Sequence, residues 1–480
     1  IARVNAEVLH VGDRILFKCG ETFPGQITPA YSGTIGAWII YDCYGTGALP
    51  IIDGSAASAI YIPVGTGLHH IRFNNLNCSG SLGVNRSVVR LYSHDLYIYN
   101  CDIHGSVAKG LDAWNNAGTD IYNITVDTCR AYNNINSGLF IGGETGVDGP
   151  YNCLITNCTC YSNGTVDYAD HGIYVKFGVT VRGCYCYSNH AAGIKTNDQG
   201  VYGSVYLPIV ENNRCTLNYW GIYVGQQYSL IRNNLCYENS STGIEVDETR
   251  GTYYYNSCVN NTARAFGIYA FAPVLNIFKN NLVIEDATVH AGYCLRSYLP
   301  ASIALLAANN TLDYNVYYRD GVAANKIHQH FDTLTGYSMA EWQALGGAPD
   351  PHGTLLERRP GFVSPYTDFR PATGGNLIGL AIPLADCLLD AYGVARDLVH
   401  SNPGCYETPA PYVPVEYNID METGDFTQFT STIINAGEMT VEAAAAMNAT
   451  TKGMQVVISG VASVNCGVKS GLLNDRGVHF

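Results

Sequence analysis

The chain reads as an all-β solenoid, and three features of its 480 residues predict that class. Gly-Ile or Gly-Leu dipeptides recur at Gly110-Leu111, Gly138-Leu139, Gly172-Ile173, Gly193-Ile194, Gly221-Ile222, Gly243-Ile244 and Gly267-Ile268, 21 to 34 residues apart, which is an internal repeat. Cys160, Cys186, Cys215, Cys236 and Cys258 keep the same phase, each followed three residues later by Asn163, Asn189, Asn218, Asn239 or Asn261. Between these marks, apolar and polar residues alternate in short runs such as Ile173-Tyr174-Val175-Lys176, the period of a strand with one buried face. A unit this short cannot bury its own inward residues. It stacks on its neighbours, and three short strands per turn make a parallel β-helix. Equivalent positions then form columns about 4.8 Å apart. An asparagine in such a column can bond both the turn backbone and its own copy one coil away.

Residues 1–60 alternate apolar strands with glycine turns and are expected to form an N-terminal cap and the first coils, because a bare end coil leaves backbone unpaired. Residues 61–320 are the solenoid proper. Strand geometry is fixed, so additional residues leave the stack as loops at Gly142–Pro150, Gly164–His171 and Asn197–Pro208. All three border one strand column, whose outer face is therefore the place to look for a groove. Residues 321–407 lose the repeat, carry Pro349, Pro351, Pro360, Pro365, Pro371 and Pro383, and read as a C-terminal closure with one short helix near Ser338–Leu345. The proline-rich stretch 408–414 reads as a stiff linker, and 415–480 as a further β-rich segment.

Composition narrows the function classes. A net charge of −14 argues against a nucleic-acid backbone or an anionic membrane as main partner. No apolar run reaches the length of a membrane span, and no signal peptide is visible; a start at Ile1 rather than Met is read as a processed or incomplete N-terminus of an exported protein. Tyrosine, at 36 residues, suits β-structure and a surface that touches sugars or proteins. Most of the 17 cysteines fall at inward positions and are expected as stacked core thiols, with some disulfides as the alternative. Cys158-x-Cys160 and Cys184-x-Cys186 lack the CxxC spacing of zinc or redox sites.

The repeat units resemble the right-handed parallel β-helix repeats of the pectate-lyase-like superfamily over roughly residues 60–320. Gly12-Asp13-Arg14-Ile15-Leu16-Phe17 through Pro50-Ile51-Ile52-Asp53-Gly54 is similar to the start of secreted bacterial or phage β-helix proteins, and Tyr337–Leu345 to their end. The resemblance implies an extracellular, secreted or virion-associated protein. It leaves open a lyase, a hydrolase, an epimerase, a tailspike or an adhesin. Tyr417–Asp425 resembles the first strands of concanavalin-like jelly-roll domains, although 415–480 is short for such a sandwich. Either the natural chain continues, or these strands complete a sheet from another copy, giving a homo-oligomer or fibre.

The residue after each Gly-Ile or Gly-Leu points outward, as does the one two further on. That column holds Asp112 and Trp114, Phe140 and Gly142, Tyr174 and Lys176, Lys195 and Asn197, Tyr223 and Gly225, Glu245 and Asp247, then Tyr269 and Phe271. Aromatic faces offer apolar area to sugar rings while charges and amides fix hydroxyls and carboxylates, so a polysaccharide is the expected ligand, with Asp112, Trp114, Phe140, Asn197 and Tyr269 as its contacts. A solvated strand face is the plain alternative. Lyase chemistry on a uronate needs a base, a group holding the carboxylate and a proton source. The resemblance implies Lys or Arg as base, with calcium or a basic side chain at the carboxylate. Lys176 and Lys195 are the candidate bases, Tyr174 and Tyr223 the candidate proton donors, and Glu245, Asp247 and Glu248 a candidate Ca2+ set. A glycoside hydrolase would instead pair Asp167 or Asp170, beside His171, with Asp112 or Glu144. The non-enzymatic alternative is a tailspike, adhesin or fibre subunit.

Overall fold

The computed structural model describes the chain apart from residues 81–82, 84–85, 116–119, 144–148, 166–169, 198–206, 269–274, 286–292, 298–308, 321–325, 331–335, 346–347, 365–367, 408–438, 441–456 and 459–480. Within these described residues, each coil lends one short strand to each of three long sheets of 12, 13 and 12 strands. The first sheet runs from Arg14–Lys18 to Thr311–Asp313, the second from Thr22–Pro24 to Thr354–Leu355, and the third from Ile60–Ile62 to Gly336–Ser338. Neighbours pair in parallel throughout, except where Lys326–His330 meets Gly336–Ser338 at the end of the third sheet. The architecture is a parallel β-helix.

Register follows the repeat. Leu111, Leu139, Ile173, Ile194, Ile222 and Ile244 face one another in turn on the third sheet. The seventh dipeptide departs from the expected column: Ile244 pairs with Phe266, and Gly267 lies opposite Glu245. The cause is steric. A Cβ on Gly267 would sit 2.2 Å from Glu245 Oε2 and 2.6 Å from Arg264 Nε, so glycine makes room for that ion pair.

The asparagines explain the glycines. Asn134, Asn163, Asn189, Asn218 and Asn239 each donate Nδ2–H to the Oδ1 of the next asparagine, ending at Asn261, over 2.9 to 3.2 Å. The same Nδ2 donates to a backbone carbonyl such as that of Cys160 or Cys186. Cβ atoms at Gly110, Gly138, Gly172, Gly193, Gly221 and Gly243 would lie 2.7 to 2.9 Å from these amide nitrogens. Only a residue without a side chain lets the amide row pass.

A second row was not foreseen. Cys101, Cys129, Cys158 and Cys184 begin it as buried thiols, and Cys184 N–H donates to Asn213 Oδ1 at 2.8 Å. Asn213, Asn234, Asn256, Asn281 and Asn315 then repeat the amide ladder, which closes on Asp350. Asp350 also accepts from Tyr317 Oη at 2.6 Å, is wholly buried, and has its pKa pushed up to about 7 by that burial. Cys160, Cys186, Cys215, Cys236 and Cys258 are in register on the second sheet. They are buried free thiols whose pKa values burial drives up, as expected of inward cysteines.

Tyrosines stack on the outside of the second sheet. His104, Tyr132, Tyr161 and Tyr187 lie ring over ring at 4.8 to 5.0 Å with interplanar angles of 1 to 14°. Their faces are spent on one another, so this row shows solvent its edges rather than a sugar platform.

Ile1 and Val4, at the helix Ala2–Ala6, pack on the first coils. Trp342 and Met339, in the helix Met339–Gln343 with its Ser338–Glu341 capping box, join the core at the other end. Phe362, Phe369, Leu377 and Tyr406 pack against Leu235, Tyr237, Leu282 and Tyr318 of the solenoid. The contact pattern separates Ile1–Ala410 from Pro411–Phe480. In the latter, the described part is one antiparallel pair, Met439–Thr440 with Val457–Ile458; the expected jelly-roll opening and the expected linker at 408–414 lie outside the described residues.

Two outcomes follow. Gly193→Ala and Asn218→Ala each destabilise by roughly 2 kcal/mol in denaturant titrations, by crowding or orphaning the same ladder rung, and the double variant costs less than their sum. Because the folded pKa of Asp350 is raised, its contribution favours folding below the ordinary carboxylate range and is lost as pH rises toward about 7. Asp350→Asn flattens that part of the stability profile; an unchanged profile would exclude Asp350 as its source.

Candidate functional site

The outward face of the third sheet gathers cations and rings. Alternation along Leu139–Gly143 and Ile173–Val175 sends Leu139, Ile141, Ile173 and Val175 inward and leaves Phe140 and Tyr174 on the outer side. Phe140 sits between Trp114, at 5.4 Å, and Tyr174, at 5.0 Å, and is only 1% exposed. It is a floor for its neighbours rather than the direct glycan contact expected of it.

Lys176 is the unusual member. Its Nζ lies 5.1 Å from the Trp114 ring centre and 5.8 Å from that of Tyr174, and the residue is 2% exposed. Lys109 Nζ stands 4.0 Å from the Phe140 ring, and Lys195 Nζ lies 4.7 Å from Tyr223 and 5.5 Å from Tyr174. Burial first, then the positive charges of Lys109 and Lys195, bring the Lys176 ammonium down to about 8. Mutual repulsion, the cause expected from sequence, is the smaller part. An amine in that range exists neutral at mildly alkaline pH and can take up a proton.

The two tyrosines differ in what they can give. Tyr174 Oη accepts from Asn197 Nδ2 at 2.9 Å, and among the described residues its own hydroxyl hydrogen has no acceptor. Tyr223 donates to Asp247 Oδ2 at 2.6 Å. Asn197 therefore positions Tyr174. His171 is buried beside the same ring, 5.3 Å away, with Nδ1 accepting from Ala192 N–H and Nε2 without a partner among the described residues.

The acidic residues are already engaged. Glu245 holds Arg264 at 3.1 to 3.3 Å, both buried, and burial raises its carboxyl against the pull of Arg264. Asp247 takes the Tyr223 hydroxyl, and Glu248 accepts from Thr249 N–H at 3.0 Å. Among the described residues no three His, Cys, Asp or Glu side chains converge as a metal-binding group, and the partners of these three do not fit the calcium set expected of them. Asp112 accepts from Lys109 Nζ at 3.0 Å and from Tyr92 Oη at 3.4 Å. Asp170 is buried and accepts from Thr165 N–H. Tyr269, Phe271, Glu144 and Asp167 lie outside the described residues.

Sequence reasoning missed Lys109, Arg90 and Tyr92. Arg90 stands over Tyr61 at 5.0 Å and Tyr92 at 5.1 Å and donates to Tyr92 Oη, extending the cation and ring pattern toward the N-terminus. Lys109 was legible in principle, since it immediately precedes a Gly-Leu dipeptide. The three expected insertions meet the third sheet at the adjacent strands Leu139–Gly143, Ile173–Val175 and Ala192–Asn197, although 144–148, 166–169 and 198–206 lie outside the described residues.

Residues 171–328 match the family model described as a right handed beta helix region. No curated protein sequence matches the chain. Among solved structures, XylC in complex with xylose is 10% identical over 83% of this chain and 94% of its own, with a TM-score of 0.57. The A-module of the mannuronan C-5 epimerase AlgE6 of Azotobacter vinelandii is 13% identical over 72% of this chain and 90% of its own, with a TM-score of 0.53. The pectate lyase Pel9A is 18% identical over 85% of this chain and 90% of its own, with a TM-score of 0.48. At these identities the likeness to the first two establishes the fold alone. Among the described residues no helix is long and apolar enough to cross a membrane.

In an NMR titration of lysine side chains, Lys176 is expected to lose its proton with a midpoint near 8, and Lys109→Met to move that midpoint upward by removing one like charge. An unmoved midpoint would take Lys109 out of the site.

Proposed function

We propose that this right-handed parallel β-helix of the pectate-lyase-like type is an extracellular protein that binds an acidic polysaccharide along its third sheet and cleaves it by β-elimination. The observation that carries the reading is Lys176, a nearly sealed amine brought down to about 8 between two other lysines on an acidic protein. Lys195 and Lys109 supply positive charge for a uronate carboxylate, drawing electron density from the adjacent carbon. Neutral Lys176 takes the proton from that carbon. The carbon–oxygen bond on the next carbon breaks as the double bond forms, and the Tyr174 hydroxyl protonates the departing oxygen. No step runs through calcium.

The burial of Lys176 also favours a second reading, in which the face binds an acidic glycan without cleaving it. Substrate reaches the amine only as neighbouring side chains part, so under the first reading binding and exposure of the base are one event.

The test offers polygalacturonate, alginate and polyglucuronate to the full chain and follows both binding and the ultraviolet absorbance of unsaturated product. The rate is expected to rise with pH toward about 8, and Lys176→Ala to lower kcat by about 10²–10⁴-fold while binding persists. Tyr174→Phe lowers kcat, and Lys195→Ala raises KM. Binding without product selects the second reading. Product at undiminished rate from Lys176→Ala removes it as base, and absence of binding to any acidic chain overturns both.

A further inference from the structure

Of the cysteines in the described residues, Cys19 and Cys43 alone are not buried. They sit on consecutive coils at the open N-terminal end. The strand Arg14–Lys18 pairs with Ile39–Tyr44 so that Phe17 faces Cys43 and Lys18 faces Tyr44, and Cys19 N–H donates to Tyr44 O at 2.9 Å. Cys19 follows Phe17 by two residues and so lies diagonal to Cys43 across this strand pair, and Cys43 is pushed up to about 11, by burial first and then by Cys19. The other described cysteines are buried, most of them sealed among core side chains that shut out a reagent.

We propose that Cys19 and Cys43 are a modification site, a dithiol that a low-molecular-weight disulfide oxidises to one bridge tying the first coil to the second while the core thiols stay reduced. The thiolate of one residue attacks a sulfur of the reagent, forming a mixed disulfide and releasing one reagent thiolate. The thiolate of the other cysteine then attacks the protein sulfur of that mixed disulfide and displaces the second reagent thiolate. Two electrons pass to the reagent, and the two protons lost by the cysteines end on its thiols. The bridge closes a loop running from the first coil through the turn at Ile35–Gly36 and back, so it limits separation of the first coil from the second.

The folded full chain is incubated with oxidised glutathione, blocked with an alkylating agent, and digested without reductant. Mass spectrometry is expected to find one cross-linked pair of peptides, carrying Cys19 and Cys43, with the core cysteines alkylated only after denaturation. Cys43→Ser should instead accumulate a glutathione adduct on Cys19. Two outcomes overturn the proposal: stable adducts on both residues of the unaltered chain without a cross-link, or a cross-link among Cys160, Cys186, Cys215, Cys236 and Cys258 in the folded protein.

Discussion

The structure depends on one interlock, an asparagine amide threaded past a glycine in six successive coils. The amide satisfies a backbone carbonyl and the next amide, all out of water, where an unmade hydrogen bond is costly. It can do so only because the neighbouring position has no Cβ; at Gly193 a methyl group would meet Asn218 Nδ2 at 2.9 Å. The two repeat signals are therefore a single constraint seen from its two sides. Once it fixes the stacking phase, the inward isoleucines, the thiol columns and the outward ridge follow without further instruction.

That phase determines the chemistry of the outer face. In-register stacking brings like positions within about 5 Å, so three lysines from nearby coils share one field, which solvent would screen if they were scattered. Rings between them replace water with polarisable faces that tolerate a cation. The acidic residues nearby are not spare ligands: Glu245 balances Arg264, and Asp247 holds Tyr223. A single face thus separates into a stretch holding three lysines, with Asp112 on Lys109, and one where each carboxylate has its own partner.

The fold was readable because successive coils repeat the constraint, and six of the seven dipeptides stand in the expected column. The seventh misled because Gly267 serves a different purpose, clearing space for an ion pair two positions out of phase. The second amide row escaped notice because its first rungs are cysteines, so no single letter marks it along the chain. At the ridge, alternation said which side chains leave the sheet but not which would be covered again, as Phe140 and Lys176 are. Nor can strand period reveal Lys109, which enters from a turn, or the engagement of each carboxylate, which depends on side-chain partners one or two coils away.

Both amide rows run one way. Each Nδ2 gives one hydrogen to the Oδ1 of the coil ahead and the other to a carbonyl of the coil behind, while each Oδ1 faces back, so the C=O dipoles of the amides add head to tail along the axis. The solenoid interior is thereby electrically polarised, its positive end turned toward the C-terminal coils. There a buried carboxyl meets each row, Asp350 beyond Asn315 and Glu285 beside the backbone of Asn261, and burial biases both toward the neutral acid.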